Sequence, residues 1–419
     1  MNIAFLKSFD ALKRIYDDGA YSTAQLNDTL RTCTAKDKAL ITKLVYGVLD
    51  NDIRLQYIIG RHVTKMPKGD VLLFLKIGTY CLSDLSIPPY AVVNDVAELA
   101  KTSGDRRIVG FVNATLKSIA ANVGKEPLPD DPIELLSVRY SYPMWALKKL
   151  IKDYGLQQAT EIVSAVPDTR TVVRFVKPTT VQQAKDKFGC DVSPTLFDDA
   201  FRVDGRVGQL DDTFTVQSLS SMAISRICAA FKPHNVLDVC SAPGGKAVYL
   251  KQLCPDAHVT ACDIHPHRVA LIDSYAVRMG VSIDTMVADG TQPDENLIGK
   301  FDLVLCDVPC SGFGVLDNHP DIKVFRTEKD ISDIMKVQRA ILANACRYVA
   351  KGGHLVYSTC TVFEHENGQQ IKRFLAEHDD FVPVAITLPE LPTANGQTQY
   401  RFVPDDGMQG FFVAALQKM

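Results

Sequence analysis

Val236-Leu237-Asp238-Val239-Cys240-Ser241-Ala242-Pro243-Gly244-Gly245-Lys246 is the stretch on which the reading of this chain turns. Apolar and β-branched residues run into a tight turn with two glycines, and a helical pattern of Ala247, Tyr249, Leu250 and Leu253 follows directly. This is the pattern of strand, glycine loop and helix N-terminus. Missing side chains at Gly244 and Gly245 let the backbone approach a ligand closely, and a helix start offers unpaired N–H groups and a positive dipole end. The spacing is neither the G-x-G-x-x-G of a dinucleotide site nor the G-x-x-x-x-G-K-[ST] of a nucleoside triphosphate site. A Pro-Gly-Gly turn can also simply join a strand to a helix, so the loop alone leaves both readings open.

Downstream, strands alternate with helices as in βαβ units. Strands are expected at Val236–Cys240, His258–Asp263, Thr285–Asp289, Phe301–Asp307 and His354–Cys360, with a late pair near Phe381–Ile386 and Phe411–Leu416. Helices are expected at Lys246–Leu253, His267–Met279, Ile331–Val349 and Asn367–His378. Runs such as Leu303-Val304-Leu305 and Leu355-Val356-Tyr357 are continuous and apolar, as in strands buried on both faces. Residues 205–419 therefore read as an α/β doubly wound, Rossmann-like domain. Residues 1–125 read instead as all-helical, with three-to-four-residue apolar spacing throughout, a cap pattern at Thr34 and Asp37, and a stop at Gly104. Three prolines between Gly124 and Pro132 mark a boundary, and residues 133–204 read as a small α+β connector with a strand at Thr171–Val176.

Of the 419 residues, 46% are hydrophobic and 23% charged, which fits a globular protein with a large core. No signal-peptide layout and no uncharged apolar run of about 18 residues is present, so a cytoplasmic protein without membrane contact is expected. Eleven cysteines with no C-x-x-C pair fit neither a disulfide framework nor a zinc site, and no metal is expected. A net charge of −3 speaks against a nucleic-acid partner, but residues 1–125 carry +5 and residues 126–419 carry −8. Basic groups at Arg61-His62, Lys65, Lys68 and Arg106-Arg107 can meet phosphates or form a solvated helix face.

In a doubly wound sheet, ligands sit outside the carboxyl ends of the strands. Asp263, Asp289 and Asp307 each fall at such an end, and Asp263 follows Asp238 at about the spacing used for a ribose hydroxyl. Any one of them could be a helix N-cap, but three beside one glycine loop favour a nucleoside cofactor. Two further strand ends carry thiols, in Asp307-Val308-Pro309-Cys310-Ser311-Gly312 and Ser358-Thr359-Cys360-Thr361. Cysteine is a nucleophile as thiolate, so a reactive one wants a cation or polar donors nearby, and Lys246 is a candidate. Buried structural thiols are common, yet the placement of these two at the sheet's functional edge points to chemistry.

Together, the 240–246 loop, Asp307-Val-Pro-Cys-Ser-Gly312 and Ser358-Thr-Cys360 resemble the RNA cytosine-C5 methyltransferases that use S-adenosylmethionine. Leu44-Val-Tyr-Gly-Val-Leu49, Ala91–Lys101 and Gly110–Leu116 resemble the NusB-like helical RNA-binding domain fused to the RsmB (Sun, Fmu) family of bacterial ribosomal RNA enzymes. Arg139–Trp145 and Phe214–Ser221 resemble that family's connector motifs, with Ser218 where the family usually has Asp and Val308 where Ala is usual. The resemblance implies methylation of C5 of a cytosine in 16S ribosomal RNA, with Cys360 adding to C6 and Cys310 assisting release. By the same resemblance Asp307 meets the N3/N4 edge of the base and Lys246 belongs to the catalytic group. Cofactor contacts fall to Cys240, Ser241, Ala242, Pro243, Gly244, Gly245, Lys246, Asp263, Arg268, Asp289 and Asp307. A monomer is expected, with ribosomal RNA as partner. A tRNA-directed enzyme and a non-catalytic RNA-binding assembly factor are the alternatives.

Overall fold

The computed structural model describes all residues except Met1, Pro167, Thr169, Asp405 and Asp406. It divides into two compact units, residues 2–164 with 316–328, and residues 165–315 with 329–419.

The first unit is helical. Its helices are α1 (Ile3–Asp18), α2 (Ser22–Leu30), α3 (Ala35–Asp50), α4 (Asp52–Gly60), α5 (Gly69–Asp84), α6 (Pro89–Ala100), α7 (Arg106–Asn122), α8 (Pro132–Tyr140) and α9 (Met144–Ser164). Local sequence accounts for their starts: Asn2, Thr34 and Asp105 each accept a backbone N–H of the turn they cap. In α1, Phe5, Phe9, Leu12 and Ile15 recur on one face and are buried in the shared core with Leu44, Val48, Phe74, Ile77, Val96 and Leu116. Inside this apolar setting Lys76 pairs with Asp52, which also accepts from Tyr16 Oη at 2.6 Å and Gln56 Nε2 at 2.6 Å. A buried pair is tolerated because these extra donors satisfy the carboxylate.

The compact division differs from the expected boundary at residues 124–132. There the prolines turn one helix into the next: Tyr57 Oη donates to Pro127 O at 2.7 Å, and Asp131 caps α8 by accepting from Ile133 and Glu134 N–H. Ser141 Oγ accepts from Arg54 N at 2.9 Å, fixing α8 to α4. Residues 133–164 thus pack with the helical unit, and the connector keeps only its later half. α9 is continuous but for Gly155, where φ is 78°. Residues 316–328 leave the second unit to join this one: in the one-turn helix Asp321–Phe325, Asp321 accepts from Ser22 Oγ, Lys323 pairs with Asp50, and Phe325 meets Tyr16 edge-on at 5.6 Å.

The second unit begins with an antiparallel sheet, β1 (Thr171–Phe175), β2 (Asp191–Pro194), β3 (Ala200–Asp204) and β4 (Phe214–Val216), in the order β2-β3-β1-β4. It extends past residue 204 into the stretch assigned by sequence to the next domain. Helix α10 (Val181–Phe188), started by a Thr180/Gln183 capping box, covers its core of Val173, Phe175, Val192, Phe201, Val203 and Phe214. Then follow α11 (Leu219–Ala230), β5 (Asn235–Asp238), α12 (Gly245–Leu253), β6 (His258–Asp263), α13 (Pro266–Arg278), β7 (Asp284–Val287) and β8 (Phe301–Asp307). β9 (Val349–Thr359), β10 (Phe381–Pro383), β11 (Gln399–Phe402) and β12 (Phe411–Lys418) complete the strands, with helices Glu328–Tyr348 and Gly368–Glu377 between them. The large sheet runs β10-β12-β9-β8-β5-β6-β7, with β11 on β12. β9, β8, β5, β6 and β7 are parallel, while β10, β11 and β12 pair antiparallel, so the doubly wound sheet is mixed. From β5 the chain winds first toward β7 and then returns to β8 on the other side. The strand order therefore reverses between β5 and β8, which is where such sheets open a ligand crevice.

Candidate active site

The glycine loop leaves β5 at this reversal. Backbone bonds tie it to the neighbouring strands: Val239 N to Leu305 O at 3.1 Å and Ser241 N to Cys262 O at 2.7 Å. Gly244 has φ 100°, a left-handed conformation that only glycine takes without strain, and a Cβ there would meet Ile272 Cγ2 at 3.1 Å. Gln217 Nε2 donates to Gly245 O at 3.1 Å, and buried Arg174 in turn donates to Gln217 Oε1 at 2.8 Å. Neither residue was given a role from sequence: Gln217, within the Phe214–Ser221 stretch, reaches the loop from the turn after the connector sheet, and Arg174 reaches Gln217 from β1.

Asp263 closes β6, is 4% exposed, accepts from His265 N at 3.0 Å and faces Arg268 Nη1 at 3.3 Å. Arg268 Nη2 also donates to Ala242 O at 3.2 Å, so Arg268 links the second strand end to the glycine loop. Asp289 is displaced from its expected place. β7 ends at Val287, and Asp289 lies two residues beyond it in a turn in which its Oδ1 accepts from Thr291 N and Oγ1. The competing N-cap-like chemistry of aspartate in turns explains the difference. Asp238 Oδ1 and Oδ2 and Ser241 Oγ are buried without a protein hydrogen-bond partner. Buried polar groups in a crevice of open backbone fit a ligand that brings an amine and hydroxyls of its own, as S-adenosylmethionine does. Cys240 is partly buried, and burial holds its thiol well above the ordinary range.

Burial, and then the charge of Asp307, push the Asp238 carboxyl up to about 7. That folded value lies above the ordinary 3.8, so the stability Asp238 contributes is complete below about pH 4 and is lost as pH rises through about 7, at up to about 1.4 kcal/mol per pH unit. Asp238→Asn is expected to flatten this fall in ligand-free protein. Thermal midpoints measured from pH 5 to 7.5 check it, and parallel curves for the two proteins would reject it.

On the other side of the reversal, β8 and β9 pair in parallel with Asp307 opposite Ser358. That register brings together thiols 50 residues apart in the chain. Cys310 Sγ and Cys360 Sγ are 3.1 Å apart, and Cys360 N–H donates to Cys310 Sγ at 3.2 Å. The hydrogen bond to Cys360 and then burial raise the Cys310 thiol well above its ordinary range. Asp307 accepts from Lys246 Nζ on one oxygen and Ser358 Oγ on the other, both at 2.7 Å. Although burial pulls Lys246 down, Asp307 outweighs it and keeps the ammonium charged. The cation from the glycine loop is thus neutralised by Asp307 and does not stand free beside a sulfur. The structure brings Lys246 and Asp307, bonded to each other and to Ser358, to the same paired strand ends as the touching Cys310 and Cys360, and holds Asp263 and Arg268 with the loop. The Asp289 carboxylate instead accepts from Thr291 N and Oγ1 within its own turn.

The family model for 16S rRNA methyltransferase RsmB/F matches residues 228–417, which contain the loop, both thiols and Asp307, and the NusB family model matches residues 6–121. The "Probable ribosomal RNA small subunit methyltransferase B" of Bacillus subtilis (strain 168) is 31% identical over 98% of this chain and 98% of its own length. This chain belongs to the RsmB/F family of 16S rRNA methyltransferases. Ribosomal RNA small subunit methyltransferase B of Sodalis glossinidius (strain morsitans) is 29% identical over 97% of this chain and 96% of its own. Among solved structures, that of PH0851 is 20% identical, covers 100% of this chain and 99% of that one, and superposes with a TM-score of 0.81. The structure of NSun6 from Pyrococcus horikoshii with SFG is 19% identical, covers 66% of this chain and 98% of that one, and has a TM-score of 0.56. At these identities the two structures speak for the fold, a helical region followed by an α/β methyltransferase domain, which the RsmB/F membership expects. No helix among the described residues is long and apolar enough to cross a membrane.

Proposed function

We propose that this RsmB/F protein methylates C5 of a cytosine in 16S ribosomal RNA through a covalent bond between Cys360 and C6 of the base, with S-adenosylmethionine as methyl donor. The observation that carries the reading is the pair of sulfurs 3.1 Å apart beside the Lys246–Asp307–Ser358 network. Cytosine C5 is a poor nucleophile until a group adds at C6, and a thiolate from Cys360 does this, forming the Sγ–C6 bond and pushing the ring electrons toward C5 and N3. Each Asp307 oxygen keeps a lone pair beyond its bond to Lys246 or Ser358, so the carboxylate can accept from the protonated N3 and the N4 amino group. When bound, the cofactor supplies an electrophilic methyl group. The loop 240–246, Asp263 and Arg268 orient it, and the orphaned polar atoms of Asp238 and Ser241 meet its polar groups.

After methyl transfer the C5 proton must leave and the C6–Sγ bond must break, returning the Cys360 thiolate. Cys310 is suited to take that proton. Its sulfur lies 3.1 Å from that of Cys360, beside the carbon atoms to which Cys360 binds. The basic excess of residues 1–125 supports a contact with RNA phosphates by the helical unit. RNA as substrate places the protein in the cytoplasm.

Bisulfite sequencing of 16S rRNA from cells with and without the gene tests the reading. One cytosine that resists conversion only when the gene is present is the expected result. Resistance confined to tRNA would redirect the substrate. No resistant position, together with no tritium incorporated from labelled cofactor, would make the protein an assembly factor.

A further inference from the structure

Glu366 is a fully buried carboxylate that the mechanism above does not use. It is 0% exposed, and the donors to its side chain are neutral groups. Burying an unpaired carboxylate is costly unless hydrogen bonds replace its water. Here four donors do so. Oε2 accepts from Ser311 N at 2.9 Å and Gln338 Nε2 at 3.0 Å, and Oε1 accepts from Ser311 Oγ at 2.5 Å and Thr361 Oγ1 at 3.3 Å. Ser311 Oγ and Thr361 Oγ1 also lie 2.7 Å apart, and Gln338 Nε2 reaches Pro309 O at 3.0 Å. Ser311 directly follows Cys310 and Thr361 directly follows Cys360. A single carboxylate therefore holds the residue after each sulfur. The backbone carbonyl of Glu366 is itself held by Tyr357 Oη at 2.7 Å, on the strand that delivers Cys360.

We propose that Glu366 is a positioning residue that clamps the two thiol loops together and so sets the distance between the sulfurs that add to and release the base. The proposal rests on the roles given above to Cys360 and Cys310, but the clamp itself can be read without them. An apolar residue of similar size would fill the same space at lower cost, but only a side chain ending in two polar atoms reaches both loops. Glutamine can keep the clamp: its carbonyl replaces Oε2, and its amide donates to the two hydroxyls, which rotate to accept.

Glu366→Ala is expected to lower kcat about a hundredfold, the scale of a misplacement near 1 Å, while KM for cofactor and RNA stays within about threefold. Glu366→Gln should recover most of kcat. An activity-free readout accompanies this. Diamide takes the two thiol hydrogens of Cys310 and Cys360 and is reduced to the hydrazine as the Sγ–Sγ bond forms. That reaction, followed by peptide mass in the full-length protein, should slow about tenfold in Glu366→Ala and not in Glu366→Gln. Should Glu366→Ala fail to fold, Ser311→Ala and Thr361→Val each remove one donor and should each slow both reactions. Unchanged disulfide formation in the soluble variants would overturn the proposal. So would a fall in kcat that is matched by loss of cofactor affinity and not restored by glutamine. If wild type methylates no cytosine while the cross-linking pattern holds, the clamp stands and the reading of the thiols fails.

Discussion

Cys360→Ala is expected to abolish methyl transfer and to form no covalent species with RNA, whereas Cys310→Ala is expected to accumulate a protein–RNA adduct that survives denaturing electrophoresis. Removing a covalent nucleophile typically costs about 10⁴-fold or more. Cys360 and Cys310 are the two candidates, since their sulfurs are 3.1 Å apart at the ends of paired parallel strands. Their surroundings differ. Cys360 directly follows β9, while Cys310 lies in the loop after β8 and accepts the Cys360 N–H at 3.2 Å. Under the roles proposed above, loss of Cys310 leaves addition at C6 intact and removes the group that carries off the C5 proton, so the methylated adduct has no route out. Trapped adduct in Cys360→Ala and none in Cys310→Ala would reverse the two roles. Electrophoresis of each variant after incubation with labelled RNA and cofactor reads the outcome directly.

The strand ends were legible from sequence because their chemistry is written in contiguous residues: a continuous apolar run such as Leu303-Val304-Leu305, then Asp307 and Cys310 within a few positions. What contiguous residues do not carry is register. The pairing of Asp307 with Ser358 fixes which side chains meet, and from it follow the Lys246–Asp307 bridge and the contact between the sulfurs. Glu366 illustrates the limit. It stands in Glu364-His365-Glu366-Asn367, a polar run that reads as a solvated surface turn, yet it is fully buried and its donors come from residues 28 to 55 positions away as well as from Thr361. The boundary near residue 164 was hidden for a related reason. Prolines report a local turn, and whether the next helix packs backward or forward is decided by contacts such as Arg54 N to Ser141 Oγ, 87 residues apart. Residues 316–328 were equally silent, because a segment that leaves one unit for another has no local signature beyond that of a loop.

Gly314→Ala is expected to damage both stability and catalysis, and the reason lies in space and not in backbone angle. Gly314 N donates to Cys360 O at 3.0 Å and Gly314 O accepts from Gly410 N at 2.8 Å, so its backbone is held between the Cys360 carbonyl and the residue just before β12. A Cβ at this position would fall inside the Gly410 carbonyl group and 2.9 Å from Cys360 O. All the obstructing atoms are backbone, so no side chain can swing away. Either Gly410 moves, which pulls on β12 where Phe412 pairs with Thr359, or the Cys360 peptide moves, which displaces the sulfur from Cys310. Overpacking of this kind costs about 3 kcal/mol when the surroundings yield only in part. For a unit of this size that corresponds to a fall in melting midpoint of about 6–12 °C. Displacing the Cys360 sulfur by a fraction of an ångström to 1 Å should also reduce methyl transfer up to about a hundredfold at temperatures where the variant is still folded. Differential scanning fluorimetry and single-turnover methyl transfer at 20 °C measure the two effects separately. A variant that melts within about 1 °C of wild type and turns over at the same rate would show that the loops bearing Gly314 and Gly410 can separate without moving Cys360.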